Sequence, residues 1–225
     1  MPVPLDVLFC DNHLLVVNKP AGTPTVPDES GDESLLDQGK AFIKREFSKP
    51  GAVFLGVVHR LDRPVSGVVL FARTSKAAER MTRQFRERTT QKLYWGLVQG
   101  VVLEDEGSIE HWLRKDRERN RVHIAAAESE GAKSASTQYR VRRRKGERTW
   151  LELEPLTGRS HQLRVACASL GTPLLGDLKY GAEQPLEDRS IALHARSLRV
   201  EHPTLREPLA FEAPVPRLAV WRSVL

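Results

Sequence analysis

At 225 residues the chain is long enough to bury a substantial core, as one large domain or a domain with a small appendage, and its 40% hydrophobic and 28% charged residues are a globular balance. The longest apolar runs, such as Leu14 to Val17 and Val68 to Ala72, are too short to span a bilayer, and neither cysteine, Cys10 or Cys167, belongs to a Cys-x-x-Cys pair. These features argue against a membrane protein, a disulfide framework and a cysteine zinc site, and point to a reducing cytoplasm, while a net charge of +6 and pI near 9.5 favour polyanionic partners.

The N-terminal stretch Met1 to Asp6 has neither the basic start nor the apolar core of a secretory signal. Leu14 to Asn18 reads as a buried strand, followed by an irregular connection through Pro20, Gly22, Pro24 and Pro27. Ser30-Gly-Asp-Glu33 has the form of a capping box for a helix whose buried side is Leu36, Ile43 and Phe47, stopped by Lys49-Pro50-Gly51. Val53 to Val58 and Val68 to Ala72 read as short strands on either side of the polar segment His59 to Gly67. Thr74 caps a second helix with Ala77, Ala78, Met81 and Phe85 inward and Lys76, Arg80, Arg83, Arg86 and Arg88 outward. Leu93 to Gln99 returns to strand, and residues 104 to 133 carry weak strand signals at Ile109 to Leu113 and Val122 to Ala125. Ser136 to Arg144 and Thr149 to Glu154 form a predicted hairpin turning at Lys145-Gly146, with Leu151 and Leu153 on one face. Ser160 to Leu170 has helical spacing, its stripe being Leu163, Ala166, Cys167 and Leu170, with His161 and Arg164 together on another face. A strand over Ile191 to Val200 and a proline-rich finish complete an α+β pattern, read as one continuous domain over 1–225 with a largely antiparallel sheet and flanking helices.

Two apolar strands gripping a charged loop suggest a rigidly held functional site. Within it Asp62 lies among His59, Arg60 and Arg63, whose charges favour its ionised form, as a nucleophile or general base requires. The same spacing also describes a structural ion-pair cluster anchoring a turn. The basic run Arg140, Arg142, Arg143, Arg144 and Lys145 is likewise open between a solvated strand face and an RNA backbone contact.

The segment His59-Arg60-Leu61-Asp62-x-x-x-Ser66-Gly67 closely resembles the signature loop of the RluA-type pseudouridine synthases. Further resemblances follow in order: Asn18-Lys19-Pro20-Ala21-Gly22, Lys92 to Gly100 with its tyrosine, Thr157-Gly158-Arg159-Ser160-His161-Gln162-Leu163-Arg164, Leu170 to Asp177 with Tyr180-Gly181, and His194-Ala195 with His202-Pro203. They run from about residue 14 to residue 214, and six ordered matches are far more specific than any one of them.

The resemblance implies an enzyme that isomerises uridine within RNA without cofactor or metal. Asp62 matches the aspartate that helps break the bond between ribose and N1 of uracil before reattachment through C5. Its attack on base or sugar, and a glycal route, all stay open. Tyr94 matches the tyrosine that stacks on the base and can serve in proton removal from C5. Arg164 matches the arginine that pairs with the aspartate, and Leu163 an aliphatic residue against the target base. Arg60 matches an arginine that enters the RNA beside the extruded nucleotide, because a stacked base must be flipped to be reached. His59, Leu61, Arg159 and His161 are candidate RNA or loop-stabilising contacts. One departure is Val65, where the family usually has threonine. The implied partner is a tRNA arm or rRNA stem-loop, met by a monomer with no room for an N-terminal S4 domain. No Gly-x-Ser-x-Gly elbow, His-x-Glu with Pro-Cys-x-x-Cys, or phosphate-binding Gly-x-x-x-x-Gly-Lys is present. A non-catalytic RNA-binding protein is the rival, discriminated by the trio Asp62, Tyr94 and Arg164.

Overall fold

The computed structural model describes residues 5–222, so Met1 to Pro4 of the N-terminal stretch lie outside the described residues. The chain forms two compact units. The first comprises residues up to Gln91 together with Ala195–Pro216; the second comprises Lys92–His194 and the residues from Arg217 onward.

In the first unit β1 (Val7–Cys10) pairs antiparallel with β2 (Leu14–Lys19), and β2 pairs with β4 (Ser66–Ala72) in a register from Leu14 opposite Ala72 to Lys19 opposite Gly67. The two-residue β3 (Gly56–Val57) pairs with the end of β4, and β11 (Pro208–Glu212) pairs with β10 (Leu193–Glu201). Every residue of β4 is buried, as the uninterrupted apolar run requires when both sheet faces are covered. On one face Leu14, Val16, Val68 and Leu70 pack with Met81 of α2 (Ser75–Glu87) and with Leu198, Val200 and Phe211. On the other, Leu15 lies within van der Waals reach of the Gly39 position in α1 (Leu35–Glu46). Each such aliphatic side chain, fully buried, is worth about 1.5–3 kcal/mol.

The two helix starts show where capping chemistry acts. Thr74 caps α2 as expected, its Oγ1 accepting from the Ala77 N–H at 3.1 Å. The cap of α1 is Ser34 rather than Ser30, with Oγ accepting from the Asp37 N–H and donating to its carboxylate. Ser30 is bonded to Asp28 instead. The buried stripe accordingly shifts to Leu35, Gly39 and Ile43, leaving Phe47 exposed. The strand expected over Val53 to Val58 contracts to β3, and β1 and β11, both short, add to the expected set.

In the second unit five antiparallel strands run in the order β5 (Gln91–Gln99), β9 (Arg148–Pro155), β8 (Lys133–Lys145), β6 (Glu106–Asp116) and β7 (Arg121–Ala125). The β8–β9 hairpin turns where expected, and strict alternation along β9 buries Thr149, Leu151, Leu153 and Pro155. Leu113, Val122 and Ala135 from this face pack on Val165 of α3 (Gln162–Ser169) and on Tyr180. The opposite face of β6–β8 carries mostly polar side chains, with Trp112 exposed among them. A short helix, α4 (Ala219–Arg222), buries Trp221. Strands outnumber helices, and the architecture is α+β on a largely antiparallel mixed sheet. Among the described residues no helix is long and apolar enough to cross a membrane.

Candidate active site

The signature loop leaves β3 and enters β4, and three anchors set its path. His59 accepts the Leu70 N–H on Nε2 at 2.9 Å, and its ring stacks on Phe85 at 4.7 Å between centroids. Accepting through Nε2 places any proton of the neutral ring on Nδ1, and the bond ties the loop to β4. Thr25, buried, clasps Leu61 from both sides of its peptide: its hydroxyl donates to the Leu61 carbonyl at 2.9 Å and accepts the Leu61 N–H at 3.3 Å. Lys19, with no exposed surface, donates from Nζ to the carbonyls of Pro20, Thr23 and Arg63 at 3.0, 2.8 and 3.1 Å. Burial pulls the Lys19 ammonium down to about 7, opposed by the negative charge of Asp62 and reinforced by Arg63.

Between these anchors the chain turns, the Asp62 carbonyl accepting the Val65 N–H at 3.0 Å. Asp62 is half-buried, Leu61 and Val65 are buried, and Arg60 is exposed. The Val65 backbone thus closes the turn, whatever its side chain. The passage into β4 requires Gly67: its φ is +116°, and a Cβ at this position would lie 2.3 Å from the Ala195 carbonyl oxygen. Arg63 does not cluster on Asp62 as the local charge pattern suggests. It turns outward to ion pairs with Asp28 and Asp32, while the buried Lys19 senses the negative charge of Asp62.

The remaining predicted residues belong to the second unit. Tyr94 is half-buried in β5, opposite Leu153 of β9. Gln162 organises the segment 157–164: its Oε1 accepts from the Thr157 hydroxyl at 2.6 Å and the Arg159 N–H at 3.0 Å, while Nε2 donates to Ser136 and Thr137 at 2.9 Å. Arg159 Nε donates to the Ser134 carbonyl. Leu163 is buried. His161 occupies the position before α3 with φ of +51°, a conformation uncommon for a side chain of its size. Its Nδ1 lies 2.7 Å from the Tyr180 hydroxyl, which accepts the Val122 N–H at 2.8 Å. Arg164, buried, grips Asp177 through Nε and Nη2, both at 2.7 Å, with its guanidinium 5.0 Å from the Tyr180 ring centroid. His161 and Arg164 therefore do converge, on Tyr180.

Asp177, just before the single 3-10 turn Leu178–Tyr180, holds Arg164 of α3, and Tyr180, the last residue of that turn, holds His161 just ahead of the helix. With Lys19, Thr25 and Gln162 they are the support that local spacing does not reveal. Their signal is the string Gly176-Asp177 with Tyr180-Gly181, which marks a landmark without assigning a partner. The basic run at 140–145 is largely matched by acids: Arg140 with Glu106, Arg142 with Glu152, and Arg144 with Asp105 and two carbonyls. Among the described residues no three His, Cys, Asp or Glu side chains converge as a metal site.

A family model for RNA pseudouridylate synthase matches residues 13–169. The chain belongs to the RNA pseudouridylate synthase family. This pseudouridine synthase is 39% identical to the "Dual-specificity RNA pseudouridine synthase RluA" of Pasteurella multocida, over 93% of each chain. It is 37% identical to the "Uncharacterized RNA pseudouridine synthase YhcT" of Bacillus subtilis, over 94% of the present chain and 69% of that protein. Among solved structures it is similar to human RNA pseudouridylate synthase domain containing 4, with a TM-score of 0.79 and 27% identity over 94% of this chain and 89% of that one. The activity is accordingly the isomerisation of uridine in RNA to pseudouridine.

Proposed function

We propose that this synthase modifies particular uridines in a tRNA arm or an rRNA stem-loop, with Asp62 as its catalytic carboxylate. The observation that carries the assignment is the anchoring of the Asp62 loop by Lys19, Thr25 and His59, which fixes a half-buried carboxylate at a turn. Such rigidity is what a reacting group needs, because a displacement of even ~1 Å is costly in rate. The reaction breaks the bond from ribose to N1 and forms one from ribose to C5, with the C5 proton lost and N1 protonated, so the product is an isomer.

In this reading Tyr94 stacks on the target base and Leu163 packs against it. Arg164 is the cation of the catalytic set, and its grip on Asp177 supports a fixed guanidinium orientation. The exposed Arg60 enters the RNA beside the flipped nucleotide, while Arg159 and His161 contact RNA or stabilise the loop beside it. The catalytic domain spans 1–225, a reading supported by β5 and β10, each of which has residues in both units. The enzyme works as a monomer in the cytoplasm and needs no metal.

The test compares wild type with Asp62→Asn on bulk tRNA and rRNA transcripts, mapping pseudouridine chemically. Wild type should modify one or a few uridines without added metal, and the variant should bind RNA without conversion. Binding by wild type with no pseudouridine in any transcript would instead make the chain a non-catalytic RNA binder.

A further inference from the structure

Three basic surfaces stand out in the chain, and they differ in how their charge is used. On α2, Arg80 donates to the Pro203 carbonyl, Arg83 pairs with Glu79 and Arg86 with Glu87. On β8, Arg140, Arg142 and Arg144 all face carboxylates. The β6–β7 hairpin is different. From Arg114 to Arg121 it carries five cations against Asp116 and Glu118. Among the described residues no carboxylate lies within ion-pair distance of Arg114, Lys115 or Arg117, all exposed. Only Arg119 reaches Asp116, at 4.0 Å.

The register of this hairpin adds an aromatic platform. Trp112 pairs with Ala125 on one side and Ser134 on the other, and Arg114 pairs with His123. Residues directly opposite share a face, so Trp112, Arg114 and His123 all stand on the face away from Leu113 and Val122, which pack toward α3. Small neighbours on both strands leave the indole uncovered, and Trp112 is 41% exposed. Elsewhere on the same sheet face, a groove of about 580 Å³ is lined by Glu106, Glu152 and Glu154 with Arg140, so carboxylates outnumber cations there.

We infer that the outer face of the β6–β7 hairpin is an RNA contact surface, in which Trp112 stacks an unpaired base and Arg114 and Arg117 bind the flanking phosphates. This rests on the RNA-modifying reading above. An exposed indole beside unneutralised guanidinium groups suits a single-stranded segment: every base has a face to stack, and the planar forks match phosphate oxygens.

The test measures binding of a short oligouridine across a salt series, with pseudouridine formation on transcripts followed in parallel. Each phosphate contact on a single strand adds about 0.7 to the slope of log K against log salt, so R114Q/R117Q should lower the slope by about 1.4. Trp112→Leu should weaken oligouridine binding about tenfold at unchanged slope. The charge-matched control R140Q/R142Q, whose arginines already face acids, should leave the slope as in wild type. Melting temperatures check that the exposed substitutions leave the fold intact. If R114Q/R117Q has the wild-type slope while pseudouridine still forms, the hairpin assignment is overturned and the enzymatic reading stands. If pseudouridine never forms but the slope falls as expected, the hairpin assignment survives the loss of that reading.

Discussion

Lys19 carries the sharpest conflict between solvation and charge in the first unit. Its side chain has no exposed surface, yet all three N–H donors of an ammonium find carbonyl acceptors, one of them the Arg63 carbonyl just beyond Asp62. Burial lowers it from 10.5 to about 7, against the pull of Asp62. Between these two values the unfolded chain binds a proton that the folded chain does not, so this group makes stability rise with pH from about 7 toward 10.5. Its contribution is fully present above 10.5 and is lost as pH falls through about 7. The slope can reach at most about 1.4 kcal/mol per pH unit. Urea midpoints at pH 7, 8 and 9 should therefore climb more steeply in wild type than in Lys19→Met. Parallel profiles would mean that Lys19 stays protonated throughout. The same substitution empties the cradle of three carbonyls, so pseudouridine formation should fall with it.

At the scale of elements, the 3-10 turn Leu178–Tyr180 acts as a clamp on the start of α3. Asp177 fixes Arg164 in a two-pronged contact, and Tyr180 fixes His161, which sits in the left-handed region without a side-chain cap. Removing one partner from a buried, doubly hydrogen-bonded charge pair costs about 3–5 kcal/mol. Asp177→Asn, which keeps the shape, should lower stability by about 3 kcal/mol and depress turnover more than RNA binding, read as a fall in kcat with little change in KM. A lowered melting temperature with unchanged turnover would reduce the clamp to scaffolding. This clamp also marks where sequence reading ends. Thr74, the Leu151 and Leu153 face and the fully apolar β4 are legible because capping chemistry and periodicity act within a few residues. The pairing of Arg164 with Asp177, thirteen residues apart, follows from tertiary packing, to which no local pattern points. Ser30 and Ser34 show a subtler failure: both precede the helix with polar company, and only Ser34 has its oxygen next to the free N–H of Asp37. Arg63 reads as part of the Asp62 cluster only while neighbours in sequence pass for neighbours in charge; its partners come instead from residues 28 and 32.

For the whole molecule, the open physical question is whether the two compact units unfold as one. Cys167 supplies a probe confined to the second unit. It has no exposed surface, and burial pushes its thiol up to about 12, with Asp177 adding to the rise. A thiol needs to be both exposed and ionised to react, so in a Cys10→Ser background Cys167 should resist alkylation until the protein opens. Far-UV circular dichroism, by contrast, reports strands and helices of both units. With urea, a single catalytic domain requires the alkylation midpoint and the dichroism midpoint to coincide, as two-state unfolding demands. Alkylation that runs ahead of the loss of secondary structure would show the second unit opening by itself. That outcome would confine cooperative stability to each unit.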